Sequence, residues 1–128
     1  MNLSKFVVYL AAIVFILYGL AFTINPNGMS MLVTGTELTN TSDLVDFRAT
    51  YGGMTIAIGV IILYLHAINQ IRPSLIAVTV VLLSMAGART IGFIVDGAPN
   101  YLMYAYLVLE LGGGLLALLA LSKTQNID

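Results

Sequence analysis

Four charged residues stand within or beside long apolar stretches of this 128-residue chain: Arg48, Arg89, Asp96 and Glu110. Their types are the ones that could do chemistry. Two guanidiniums and two carboxylates can pair with one another, hold an anion, or relay a proton through Glu110. At the centre of a bilayer, an arginine or a carboxylate costs about 2.5–3.5 kcal/mol on insertion scales. The nine leucines of residues 101–121 each return about 0.3–0.6 kcal/mol, so that stretch inserts even with Glu110 unpaired. Insertion tolerates these charges without explaining them.

The neighbours of the four charges share their helix faces. Arg48, Gly52, Thr55, Gly59 and His66 recur at helical spacing, and so do Tyr106, Glu110, Gly113 and Ala117. Ala88 and Gly92 flank Arg89 as a further small pair. Small residues let helix backbones approach closely in lipid, so Gly52, Gly53, Gly59, Gly92 and Gly113 are expected to pack helices. Tyr51, Thr55 and Tyr106 are the candidates to line a pocket beside Arg48 or Glu110. His66 reads as an interfacial residue, because no second His or Cys accompanies it as a metal ligand. Gly112-Gly113-Gly114 follows no strand and reads as close packing or a helix weak point. Asn40-Thr41-Ser42 fits a glycosylation sequon, a weak pattern without meaning in a bacterial chain.

The elements that must position these residues are four apolar helices. Phe6–Ile24 spans about 28 Å at 1.5 Å per residue, close to the hydrocarbon thickness. Lys5 before it imitates a signal peptide, but no small-x-small cleavage site follows, so it reads as a retained helix. Asn25-Pro26-Asn27-Gly28 ends it, and a polar loop with Met29, Met31, Leu32 and Val33 follows as a short turn resting on the membrane surface. Thr41, Ser42 and Asp43 are N-cap candidates for a second helix over about 44–68. A third covers about 74–95, with Pro73 in its first turn. A fourth covers about 101–121. Four spans put both termini on one side, together with Lys5, Arg72 and Lys123. The opposite loops carry Glu37, Asp43, Asp46 and Asp96, with Arg48 close by. Positive charge in short loops marks the cytoplasmic face, so both termini are expected there.

That topology brings the charges to similar depth. Arg89 lies about 10 Å below the boundary at Asp96, and Glu110 about 14 Å below the one at Tyr101. Arg48 starts the second helix from the same side, so one connected network is the simplest expectation.

Composition agrees with a membrane protein. The chain is 59% hydrophobic and 9% charged, where a soluble domain carries roughly 25% charged residues. Continuous runs of about 20 residues select helices over a barrel. The expected fold is therefore all-α: one integral membrane four-helix bundle over residues 1–128. A net charge of −1 leaves no basic face for nucleic acid. Without Cys, and with one His, thiolate chemistry and the usual metal sites are excluded. No metal site and no cofactor is expected.

At Phe47-Arg48-Ala49-Thr50-Tyr51-Gly52-Gly53 the sequence resembles the bacterial small membrane proteins catalogued as domain of unknown function 4345. The likeness includes a first helix ending at Ile24-Asn25-Pro26 and an R-x-x-Y/F-G-G start to the second helix at Arg48, Tyr51, Gly52 and Gly53. It continues with G/A-R-x-x-G at Ala88-Arg89-Thr90-Ile91-Gly92, then Asp96-Gly97, then an acidic residue at Glu110. It covers about residues 6–121 and implies four helices and a bacterial inner-membrane location, but no activity. A looser likeness to DoxX-type proteins is architectural only.

Three functions compete. A binding or accessory protein holds a lipid, a small anion or a partner subunit, within a homo-oligomer or a larger membrane complex. A small proton-coupled transporter or channel-like oligomer uses Glu110, as small multidrug exporters use one embedded Glu, although theirs lies in the first helix. An enzyme acting on lipid comes third, because no metal cluster, nucleophile–base pair or phosphate loop is visible.

Overall fold

The computed structural model describes residues 2–124, and their regular structure is helical throughout, with no strand among the described residues. Five helices follow one another: α1 (Leu3–Ile24), α2 (Pro26–Thr34), α3 (Thr41–Ala67), α4 (Ile71–Val95) and α5 (Tyr101–Thr124). All but α2 are long and apolar enough to cross a membrane. Each begins or ends slightly outside its expected bounds: Leu3 against Phe6, Thr41 against Leu44, Ile71 against residue 74, Thr124 against Leu121. Large apolar side chains such as Leu17, Ile94, Val108 and Leu109 are more than half exposed. Water would not support such a surface, whereas lipid would. The fold fits a multi-pass membrane protein.

The chain divides into two compact units, one taking residues up to Ala11 together with those from Ile62 onward, the other Ala12–Ile61.

In the Ala12–Ile61 unit, α1 stops because Pro26 has no N–H to give the carbonyl four residues back. The same Pro starts α2. Asn25 is its N-cap, accepting from the Gly28 N–H at 2.9 Å, and Pro26 occupies the first turn. Gly35, at φ 77°, ends α2 in the left-handed conformation, its N–H donating to the Met31 carbonyl. The expected surface turn is thus a nine-residue helix with Pro26, Ser30 and Val33 buried. Asn40, one residue before the expected candidates, caps α3 by accepting from the Ser42 N–H at 2.8 Å.

α3 widens to π geometry over Arg48–Gly53 before returning to α. Its Gly52-Gly53 pair is the weakest helix-forming step in the segment. Gly52 and Gly59 face α1 at close range. A Cβ added at Gly59 would lie 2.7 Å from the Ala12 carbonyl oxygen, and one at Gly52 would run into the Thr23 hydroxyl. On α1, a Cβ at Gly19 would lie 2.7 Å from the Gly52 carbonyl. Backbone meets backbone here, as packing in lipid favours.

In the other unit, α4 and α5 form an antiparallel pair. Leu82 and Leu83 meet Gly113 and Gly114, and Phe93 tilts against Tyr104 with ring centroids 4.8 Å apart. Added Cβ atoms at Gly113 and Gly114 would lie 2.9 and 2.5 Å from those leucine methyls. Between α3 and α4, Asn69 adopts a positive φ of 61°. The Asn69 N–H donates to the His66 carbonyl and the Gln70 N–H to the Leu65 carbonyl, closing α3 as a Schellman turn. On α4, Ser74, Thr79 and Thr90 return their hydroxyls to carbonyls four residues back, so these three are satisfied within the helix.

Candidate functional site

Arg89 stands on α4 and Glu110 on α5, both facing the seam between the two helices. Arg89 Nε donates to Glu110 Oε2 at 2.9 Å and Nη2 to Oε1 at 2.6 Å, a two-point fork. Nη1 donates to the Met103 sulfur at 2.9 Å, and the guanidinium carbon lies 5.3 Å from the centre of the Tyr106 ring. The side chains are 18% and 7% exposed. Glu110 is among the few buried charged or polar residues of the protein. Opposite charges at this range give a neutral unit, which hydrocarbon accepts far more readily than either ion alone.

Asp96, one helical face along from Arg89, is exposed and serves at the end of α4, its N–H donating to the Gly92 carbonyl at 2.7 Å. Gly97 follows at φ 95°, the conformation that lets the chain leave the helix. The Asp96 carboxylate makes no hydrogen bond or ion pair among the described residues. A Cβ at Gly92 would meet only that carboxylate, at 3.6 Å.

In the Ala12–Ile61 unit, Arg48 makes a different set of contacts. Its Nη1 donates to the Thr23 and Ile24 carbonyls at the end of α1. Those carbonyls lack helical partners because α1 ends there, and a cation suits the negative end of a helix. Tyr51 stacks on Phe22 at 5.2 Å and tilts against Phe47 at 4.8 Å. The Thr55 hydroxyl donates to the Tyr51 and Gly52 carbonyls within the π turn. A Cβ added at Gly53 would lie 4.0 Å from the Arg48 carbonyl oxygen of its own helix and near nothing else.

The residues that sequence reasoning passed over are Met103 and Gly19. Met103 sits seven before Glu110, on its helix face, a spacing that was readable. Gly19 was readable only as a small residue in an otherwise bulky run.

A family model described as domain of unknown function (DUF4345) matches residues 3–121. The chain belongs to the DUF4345 family. No curated protein and no solved structure matches it. In this DUF4345 chain, the R-x-x-Y-G-G residues build the α1–α3 approach and the cap on α1. The A-R-x-x-G and Glu110 residues build the α4–α5 ion pair, and Asp96-Gly97 terminates α4.

Proposed function

We propose that this DUF4345 protein works by binding. It is a small membrane accessory protein that holds a lipid, a small anion or a partner subunit, alone or as a homo-oligomer. A bacterial inner membrane is its setting, with both termini cytoplasmic. The orientation follows from Lys5, Arg72 and Lys123 on one side against Glu37, Asp43, Asp46 and Asp96 on the other.

The closed Arg89–Glu110 fork carries the reading. Both carboxylate oxygens are engaged by the guanidinium, and Met103 takes a third donor. Groups satisfied in this way tie two helices and hold their outer faces in a fixed register. A proton-coupled transporter would have to separate Glu110 from Arg89 in every cycle, exposing two unpaired charges to hydrocarbon. Binding asks for no such rupture.

Native mass spectrometry of the gently solubilised protein tests this, beside proteoliposomes loaded with a pH-sensitive dye. A bound mass of fixed stoichiometry, retained across detergents, is the expected result. Bare protein whose proteoliposomes dissipate a pH gradient only while Glu110 is intact would overturn it in favour of transport.

A further inference from the structure

A second polar constellation lies away from the ion pair, where the start of α1, the end of α3, the start of α4 and the end of α5 come together. They enclose a cavity of about 440 Å³, within the range of small-molecule sites. Asn2, Lys5, Tyr9, His66, Asn69 and Thr124 are among its walls. Such a set is unusual for the end of an apolar helix array, because it is dominated by hydrogen-bond donors.

Three observations point to one ligand chemistry. First, His66 brings an unmet requirement. Its Nδ1 is buried and has no hydrogen-bond partner among the described residues, while Tyr9 holds the ring edge-on at 4.9 Å between centroids. A buried ring nitrogen without a partner is costly, so an occupant that supplies one is favoured. Second, the charge is one-sided. Lys5 lines the cavity, and no acidic residue stands among its described walls. The acids of this unit among the described residues, Asp96 and Glu110, are about 37 and 21 Å away along their helices at 1.5 Å per residue. Third, beside the apolar Ala67 and Ile71, the walls add neutral donors. Asn2 and Asn69 offer amides, and Ser4 and Thr124 have hydroxyls 3.4 Å apart. Asn69 is held in place by the Schellman turn that closes α3.

We propose that this cavity binds a phosphate group, with Lys5 as the countercharge and His66 and Asn69 as hydrogen-bond partners. Lysine serves phosphate as a mobile point charge, and the surrounding amides and hydroxyls complete the shell. The phosphate comes from an anionic phospholipid headgroup or from a soluble phosphate. Basic pockets between helix ends on the cytoplasmic side are well suited to lipid headgroups. The proposal rests on the binding reading above and assigns it a place and a ligand class.

The test uses the full chain in detergent micelles with two probes, dioctanoyl phosphatidylglycerol and inorganic phosphate. The chain has one His, so the ¹⁵N signals of a labelled imidazole report on this cavity alone. Saturable shifts on adding either probe support the site; lipid alone identifies a headgroup, and inorganic phosphate competing with it identifies a soluble source. Lys5→Gln, read on these signals, and His66→Gln, read by native mass spectrometry of the lipid-bound form, are expected to weaken binding at least tenfold, with Lys123→Gln within twofold of the wild type. The proposal is overturned if neither probe moves the His66 signals, if succinate moves them equally, or if Lys123→Gln weakens binding as much as Lys5→Gln. Native spectra that keep a bound mass in a folded Lys5→Gln/His66→Gln protein would leave the binding function standing and remove only this site.

Discussion

Arg48 and Arg89 begin as the same problem, a guanidinium next to apolar helix, and the protein solves it in two ways. Arg89 is met by a carboxylate, a sulfur and an aromatic face, and the result is a neutral tie between α4 and α5. Arg48 is met by the Thr23 and Ile24 carbonyls at the end of α1, where Pro26 begins the next helix. One arginine is neutralised by charge, the other by dipoles and its own exposure. A charge that cannot reach water requires a counter-ion. A charge at a helix end needs only the carbonyls that the helix leaves unsatisfied.

This difference is easiest to break at the buried pair. Glu110→Gln removes the counter-charge and leaves Arg89 buried beside a neutral amide, at an expected cost of about 3–5 kcal/mol. Reversible unfolding by SDS titration in mixed micelles measures it. Replacing both members with apolar residues, Arg89→Met with Glu110→Leu, is expected to recover most of the loss, because no orphaned charge remains. A double variant as unstable as the sum of its singles would show that the pair does more than tie the hairpin.

Next in size is the close approach of α1 and α3. Gly59→Ala places a Cβ against the Ala12 carbonyl and the Ile16 side chain, and the helices must part to admit it. The expected cost is about 1–3 kcal/mol. Gly112→Ala is the control, since a Cβ there meets nothing, and it is expected to be neutral or stabilising by up to about 1 kcal/mol.

The same contrast shows what could be read in the sequence. The four spans were legible because about 20 apolar residues in a row leave a backbone no other choice in lipid. The Arg89–Glu110 meeting was legible from depth, since counting residues from each turn fixes height in a hairpin. The geometry of Arg48 was not, because its partners are backbone carbonyls, which every residue carries and no sequence marks. α2 is harder to see because Asn25-Pro26 is a stop signal for α1, although a capping Asn before a first-turn Pro is also a start. The π turn was signalled by Gly52-Gly53 alone, too little to separate it from a packing pair. The cavity at His66 was hidden because its walls come from four helix ends far apart in sequence.

Breaking the dipole-based arrangement is expected to cost less than breaking the ion pair. Arg48 is exposed, so Arg48→Gln lets water reach the Thr23 and Ile24 carbonyls, with a loss of about 1 kcal/mol. Arg48→Lys keeps the charge near those carbonyls and is expected to lose about half as much. Amide exchange at the end of α1, read by mass spectrometry, should quicken in Arg48→Gln and stay unchanged in Glu110→Gln. Quickening in both variants would mean that the two arginines act through one structure, against the separate solutions described above.

The smallest effect sharpens the comparison most. Gly53 closes the π segment, and among the described residues no side chain would meet a Cβ added there. If its role is only to loosen the helix so that Arg48 can reach the end of α1, Gly53→Ala should tighten the helix and stabilise the protein by about 0.5–1 kcal/mol. The Arg48 contacts would then weaken, and exchange at the end of α1 would rise despite the gain in stability. A Gly53→Ala protein less stable than the wild type in native membranes, yet more stable once purified, would have a different cause. The open face at Gly53 would then be one that another molecule covers in the bilayer, and the arginine with no carboxylate would stand beside the surface through which this protein meets its partner.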